Sequence, residues 1–193
     1  MPNLADIKDQ FIGGRIPYAV LLGLKEWKSK REEIIRREHN TCEKCKTYCI
    51  EEWMPTFNGL VTIYQPVIWE EVEIELPITS TSGIEVDDTY TTITIQPVTQ
   101  EDPHIAQIHH TYYLKNRHPW QYPNESLMLV CHKCHYEIHK EEVIKVYENA
   151  DFGFYTNLTP CSKCLGTGYL PEYDYHKDGV CFECNGSRFT EWQ

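Results

Sequence analysis

Four Cys-x-x-Cys pairs constrain this 193-residue chain more than anything else in it: Cys42/Cys45, Cys131/Cys134, Cys161/Cys164 and Cys181/Cys184, with Cys49 the one cysteine outside a pair. A two-residue gap lets both sulfurs of a pair turn toward the same ion, and two pairs complete a tetrahedral thiolate site. The pairs therefore predict two structural zinc ions and a fold assembled from small zinc-pinned pieces. Thiolates used in this way belong in a reducing compartment, where disulfides are rare. Two further features agree with a cytoplasmic protein. The amino-terminal MPNLADIKDQ lacks the basic region and apolar core of a secretory signal, and no apolar run approaches the ~18 residues that span a bilayer. No membrane partner is expected.

Charge divides the chain into three. Residues 1–46 carry ten Lys/Arg against seven Asp/Glu, residues 47–114 carry eleven Asp/Glu and no Lys/Arg, and residues 115–193 carry eight against eleven. The middle third alone matches the formal net charge of -11. A surface that grips phosphates is basic, which leaves Lys25, Lys28, Lys30, Arg31, Arg36 and Arg37 as candidates. They lie in LKEWKSKREEIIRR, Leu24–Arg37, where Leu24, Trp27, Ile34 and Ile35 form an approximate helical stripe. Their charges face either solvent or phosphate.

Residues 50–103 change character. Leu60–Tyr64, Val67–Leu76 and Tyr90–Val98 alternate apolar with polar residues and are rich in β-branched and aromatic side chains. Turn residues at Asn58-Gly59, Thr79 to Gly83 and Asp87-Asp88 break them up, which predicts a small antiparallel sheet. With one cysteine knuckle before it and one after, this acidic sheet reads as an insertion.

Residues 108–139 then gather His109, His110, His118, His132, His135 and His139 around Cys131 and Cys134. Ile108–Leu114 and Leu127–Val130 suit two strands, the first presenting His109 and His110 on opposite sides. Cys131 to about Tyr147 suits a helix with apolar positions at Tyr136, Val143, Ile144 and Tyr147. His135 and His139, four residues apart, stand one turn above each other on that helix and can share an ion. His104, His118 and His132 read as ordinary loop and helix-start residues, and Tyr112, Tyr113, Trp120 and Tyr122 as packing groups. The chain thus divides into a basic helix and first knuckle (1–49), the acidic insertion (50–103), a strand–strand–helix finger with the second knuckle (104–150) and a carboxyl-terminal cysteine-rich unit (151–193).

CEKC, then HH, then LMLVCHKCHYEIH resembles the HNH endonucleases of the ββα-metal fold, in the subclass whose two CxxC pairs hold a structural zinc beneath the catalytic finger. The resemblance covers about residues 24–48 and 104–147. It implies an α+β protein: a small HNH core stapled by Cys42, Cys45, Cys131 and Cys134, carrying the inserted antiparallel sheet and a carboxyl-terminal zinc ribbon. It implies His110 as general base, His109 and His135 as ligands of a catalytic divalent ion and, as in the colicin-type nucleases, His139 as a further ligand. The family's middle Asn falls at Ser126, with Asn124 two positions away; Ser can make one local hydrogen bond there. The implied activity is hydrolysis of phosphodiester bonds in DNA.

That chemistry calls for these residue types. A histidine titrating near neutrality can take a proton from water, and a divalent ion can hold the charge that develops on the leaving oxygen. Three neutral imidazoles favour Zn or Ni, with Mn possible, over Mg; Mg or Mn gains ground if His139 turns away.

Cys161-Ser-Lys-Cys-Leu-Gly-Thr-Gly168 and Cys181-Phe-Glu-Cys-Asn-Gly-Ser-Arg188 are two copies of CxxCxG, the second with Arg188 where the first has Gly168. They resemble the zinc repeats of DnaJ-type chaperones, with two copies in place of four. This implies one zinc held by Cys161, Cys164, Cys181 and Cys184, no chaperone activity, and a separate platform for protein or nucleic acid. Three functions are consistent with the sequence: a metal-dependent nuclease acting on DNA, a catalytically decayed zinc-binding module for nucleic acid or protein, and a nuclease working in complex with a basic protein bound to the acidic insertion.

Overall fold

The computed structural model of the protein describes residues 1–11, 16–57, 62–79, 85–170, 173 and 179–192. Two short helices, α1 (Leu4–Ile7) and α2 (Tyr18–Leu22), precede the longer α3 (Lys25–Arg37). Strands β1 (Trp53–Phe57), β2 (Thr62–Thr79) and β3 (Glu85–Thr99) follow, then β4 (Ala106–His110), β5 (Tyr113–Leu114), β6 (Leu127–Cys131), α4 (His132–Glu141), β7 (Val146–Tyr147) and β8 (Tyr155–Thr156). The fold is mixed α+β, and the described strands form three sheets, ordered β1-β2-β3, β4-β6 and β5-β7-β8. The chain forms two compact units, Met1–Cys49 with Ala106–Gln193, and Ile50–Ile105. Among the described residues no helix is long and apolar enough to cross a membrane.

In the larger unit, the buried Trp27, Ile34 and Ile35 of α3 pack with Ala106 and Ile108 of β4 and with Leu127, Leu129 and Val130 of β6. These side chains form the principal core because α3 offers one apolar face and the two strands offer theirs. The helix stops at Glu38, and His39 and Asn40 take left-handed backbone (φ 50 and 55), which turns the chain sharply into Cys42. The basic residues of α3 divide. Lys25, Lys28 and Arg36 are exposed. Arg31 instead donates to the Ala106 carbonyl at 2.8 Å, Arg37 to the carbonyls of Asn124 and Leu127 at 2.5 and 2.7 Å, and Lys30 to the Asn124 side chain. Half of the candidate phosphate-binding set is therefore occupied in tying α3 to the β4–β6 pair and its loop.

Strands β4 and β6 pair antiparallel from Ala106↔Cys131 to His110↔Leu127. The strand expected to run on to Leu114 breaks after His110, because Thr111 turns back and donates through both its amide and its hydroxyl to the Ser126 carbonyl, at 3.0 and 3.2 Å. The helix expected to reach Tyr147 ends at Glu141, and Glu142 is already extended (φ -128, ψ 134). Two causes act together there. The β-branched Val143, Ile144 and Val146 favour extended backbone, and β7 gains partners on both edges, parallel to β5 and antiparallel to β8. Of the expected helical stripe, Ile144 is buried by this sheet, whereas Tyr136 and Val143 are exposed.

The carboxyl-terminal ribbon, read from sequence as separate, lies in the same compact unit as the finger. Phe189, 2% exposed, packs with Tyr113, Ile144 and Val146.

In the smaller unit β2 pairs antiparallel with β1 and, over most of its length, with β3. Cross-strand partners share a face, so Glu71↔Ile95 and Glu73↔Ile93 lie on one side and Val72↔Thr94 and Ile74↔Thr92 on the other. Asp87-Asp88, expected to be a turn, lies inside β3. The expected turns at Asn58-Gly59 and over 80–83 lie outside the described residues.

Candidate metal centre

The cysteine pairs assemble two by two. Cys42, Cys45, Cys131 and Cys134 form one cluster and Cys161, Cys164, Cys181 and Cys184 another. Within them Cys45–Cys131 and Cys161–Cys181 stand at 3.9 Å and Cys164–Cys184 at 3.7 Å, sulfur to sulfur. Sulfurs about 2.3 Å from a tetrahedral zinc stand roughly 3.8 Å apart, whereas a disulfide closes to about 2.05 Å. Both clusters thus have the dimensions of a four-thiolate zinc site and could hold structural zinc. Cys49 stays outside. Burial, reinforced by the neighbouring Cys42 and Cys131, pushes its thiol up to about 12, and it points at the Thr47 carbonyl.

A third cluster joins His109 of β4 to His135 and His139 of α4, each offering one ring nitrogen, with all three nitrogens within 4.8 Å of one another. Helical spacing sets His135 and His139 edge to face with ring centroids 4.7 Å apart, and the His109 ring meets both edge-on at 5.4 and 5.2 Å. The hydrogen bonds identify the free atoms. His139 donates from Nδ1 to the Leu165 carbonyl at 3.2 Å, leaving Nε2 as its lone pair. That Nε2 and Nδ1 of His109 are buried without any partner. Buried lone pairs are normally satisfied, and a backbone carbonyl fixing the opposite ring nitrogen is how protein-bound metals commonly hold a histidine ligand. The donor set therefore fits a divalent transition ion.

His110 goes elsewhere. As alternation along β4 requires, it faces away from the cluster, and it is 2% exposed. Its ring stacks on Trp27 at 5.5 Å and meets Tyr122 edge-on at 4.7 Å. Nε2 donates to the Pro119 carbonyl at 3.0 Å, since a carbonyl can only accept, so Nδ1 carries the lone pair. Ser126, in the slot of the resembled family's Asn, hydrogen-bonds through Oγ to the Pro123 carbonyl at 2.7 Å, which tightens the loop locally. Asn124 ties the same loop to α3 by donating to Glu33 at 2.6 Å and accepting from Lys30. The other histidines of this segment take no part in the cluster: His118 stacks on Trp120, and His132 lines a neighbouring cleft.

Residues from the ribbon complete the surroundings, and motif reading does not reach them. Leu165, which orients His139, follows the knuckle in left-handed backbone (φ 53). Only its carbonyl is used, so no side-chain type signals it. A cleft of about 350 Å³ between α4 and the ribbon opens onto His135 and is lined by Lys133, Tyr136, Lys163, Tyr169 and Leu170.

Burial is the main cause that holds these imidazoles neutral. It lowers His109 to about 4 and His110 and His139 to about 3, and it pushes His135 well down too, with the neighbouring rings adding to the effect at His135 and His139. The unfolded chain takes up these protons near pH 6.5 and the folded chain does not. The stability they contribute is complete above pH 6.5 and is lost as the pH falls toward the folded values, at about 1.4 kcal/mol per pH unit for each ring. Thermal melts should show a midpoint that is flat from pH 8 to 7 and drops steeply below 6.5. An unchanged midpoint between pH 7 and 5 would contradict neutral burial of the four rings.

No protein-family model, curated protein or solved structure matches this chain.

Proposed function

We propose that the protein is a metal-dependent endonuclease of the HNH type that hydrolyses phosphodiester bonds in DNA. The observation that carries this reading is the convergence of His109 from β4 with His135 and His139 from α4, in a strand–strand–helix unit stapled beneath by the first cysteine cluster. In this reading His109, His135 and His139 hold a divalent ion, with Zn, Ni or Mn favoured over Mg by the all-imidazole donors. The ion supplies electrostatic stabilisation of the scissile phosphate and the leaving oxygen. His110, fixed by the Pro119 carbonyl, would accept the water's proton at Nδ1, a role that requires the loop covering its 2% exposed ring to open when substrate binds. As that O–H bond breaks, the water oxygen bonds to phosphorus and the bridging oxygen departs with its electron pair.

A specific observation favours a second reading. The three metal-binding rings are only 2–9% exposed, as suits an ion that braces the ribbon against the finger in a zinc-stabilised nucleic-acid or protein-binding module. The exposed acids of β2, Glu71, Glu73 and Glu75, would suit a basic protein partner in either reading.

Incubation of the purified protein with supercoiled plasmid and linear single strands separates the two. Cleavage with Mn, Ni, Zn or Mg that disappears with chelator supports the nuclease. Bound metal in all three clusters without cleavage under any of these ions supports the binding module.

A further inference from the structure

Among the described residues no carboxylate pairs with Arg188. Its side chain is 5% exposed, the guanidinium is sandwiched 3.8 Å from the Tyr18 ring centroid and 4.0 Å from that of Tyr113, and Tyr113 also takes a hydrogen bond from it. Nε and Nη1 have no partner. Among the described residues five buried side-chain polar atoms are unpaired, and four belong to this neighbourhood: these two, His109 Nδ1 and His139 Nε2. One aromatic side chain joins the arginine to the histidines: Tyr113, beneath the guanidinium, lies 5.6 Å from the His110 ring.

The backbone adds an independent observation. Arg188 occupies the position that Gly168 holds in the first CxxCxG copy, and both are left-handed, φ 73 for the arginine and 76 for the glycine. Glycine adopts this conformation freely, whereas another residue does so at a cost of order 1 kcal/mol. A strained residue carrying a buried, unbalanced charge persists where the charge has a use. A divalent ion on the three histidines would add further positive charge to the same poorly solvated interior as the guanidinium, and an anion held between them removes that conflict.

We propose that Arg188, supplied by the carboxyl-terminal ribbon, is the oxyanion-binding group of the histidine centre, where its free Nε–H and Nη1–H receive a phosphate oxygen of the substrate. Guanidinium suits the task because it presents paired donors and cannot lose its proton. The ribbon thereby becomes part of the binding site. The assignment to substrate phosphate rests on the nuclease reading, but the anion site itself does not require cleavage.

The test uses the metal-loaded full chain and inorganic phosphate as probe. Calorimetric titration and thermal melts at fixed ionic strength compare wild type with Arg188→Met, which keeps an unbranched apolar stem and removes the charge, and Arg188→Lys, which keeps the charge and loses the fork. Wild type should bind phosphate and melt higher in it. Arg188→Met should keep its metal content and melt at least as high without phosphate, because an unpaired buried charge has been removed, yet bind phosphate about 10–100-fold more weakly; Arg188→Lys should fall between. Equal phosphate affinity in wild type and Arg188→Met overturns the proposal, as does an Arg188→Met melt well below wild type with phosphate binding kept, which would mark an aromatic-stacked structural residue. Should Arg188→Met fail to fold, wild type and Arg188→Lys decide: no phosphate binding by wild type, or equal binding by the two, overturns it. Phosphate binding that depends on Arg188 in a protein that cleaves no plasmid leaves this proposal standing and removes the nuclease reading.

Discussion

Cys131→Ala is expected to leave no stable finger. Cys131 is 0% exposed and sits where β6 hands over to α4, its amide donating to the Cys42 sulfur at 3.3 Å and its own sulfur 3.9 Å from that of Cys45. The cluster therefore joins the turn after α3 to the start of the helix that bears His135 and His139, beside the paired hydrogen bonds between Glu43 and Leu129. Zinc in small four-ligand sites contributes about 10–16 kcal/mol of apparent binding free energy that is also folding free energy, and a domain of this size is stable by only about 5–15 kcal/mol. Losing one of four ligands thus removes an amount comparable to the whole. The checks are zinc content, circular dichroism and limited proteolysis, with Cys49→Ala as the matched control. Cys49 is equally buried but is no ligand, so its truncation removes one small side chain and costs about 1 kcal/mol. A Cys131→Ala protein that melts like wild type and retains zinc in the first cluster would show that the cluster does not hold the fold together.

The metal-binding framework was legible because each of its signals is local and chemically stringent. CxxC spacing and the i, i+4 pair His135/His139 follow from short-range geometry, and the structure brings together the same ligand atoms that the spacing singles out. The limits of elements were harder to read. The break after His110 depends on Thr111 meeting the Ser126 carbonyl across the loop, and the early end of α4 depends on β7 finding β5 and β8. Neither partner is near in sequence, so periodicity alone favours the longer strand and the longer helix. The docked ribbon was invisible for a related reason. Phe189, Leu165 and Arg188 matter through a packing contact, a carbonyl and a guanidinium that act on residues at least 26 positions away. Arg188 did leave a trace, as the one departure from glycine in the second repeat.

Changing His110 to glutamine should lower plasmid cleavage by about 10²–10⁴-fold, the range for loss of a general base, while metal content in all three clusters stays unchanged. Alanine is the wrong probe here. His110 is enclosed by Trp27, Tyr113 and Tyr122, and emptying such a site costs several kcal/mol whatever its chemistry, so a dead alanine variant would say nothing about proton transfer. Glutamine fills much of the same volume, and its amide nitrogen can replace Nε2 as donor to the Pro119 carbonyl. What it lacks is a basic lone pair where Nδ1 stood. His139→Ala supplies the contrast, since it should release the ion of the third cluster, lose cleavage and leave both cysteine clusters loaded. If His110→Gln cleaves as wild type does, the proton goes to another group, and His110 is then an aromatic packing residue that happens to neighbour a ligand. If it loses the third ion as well, the ring acts by positioning His109 along β4. Only loss of cleavage with the ion retained assigns it the proton, because then the one property removed is the ability of Nδ1 to accept.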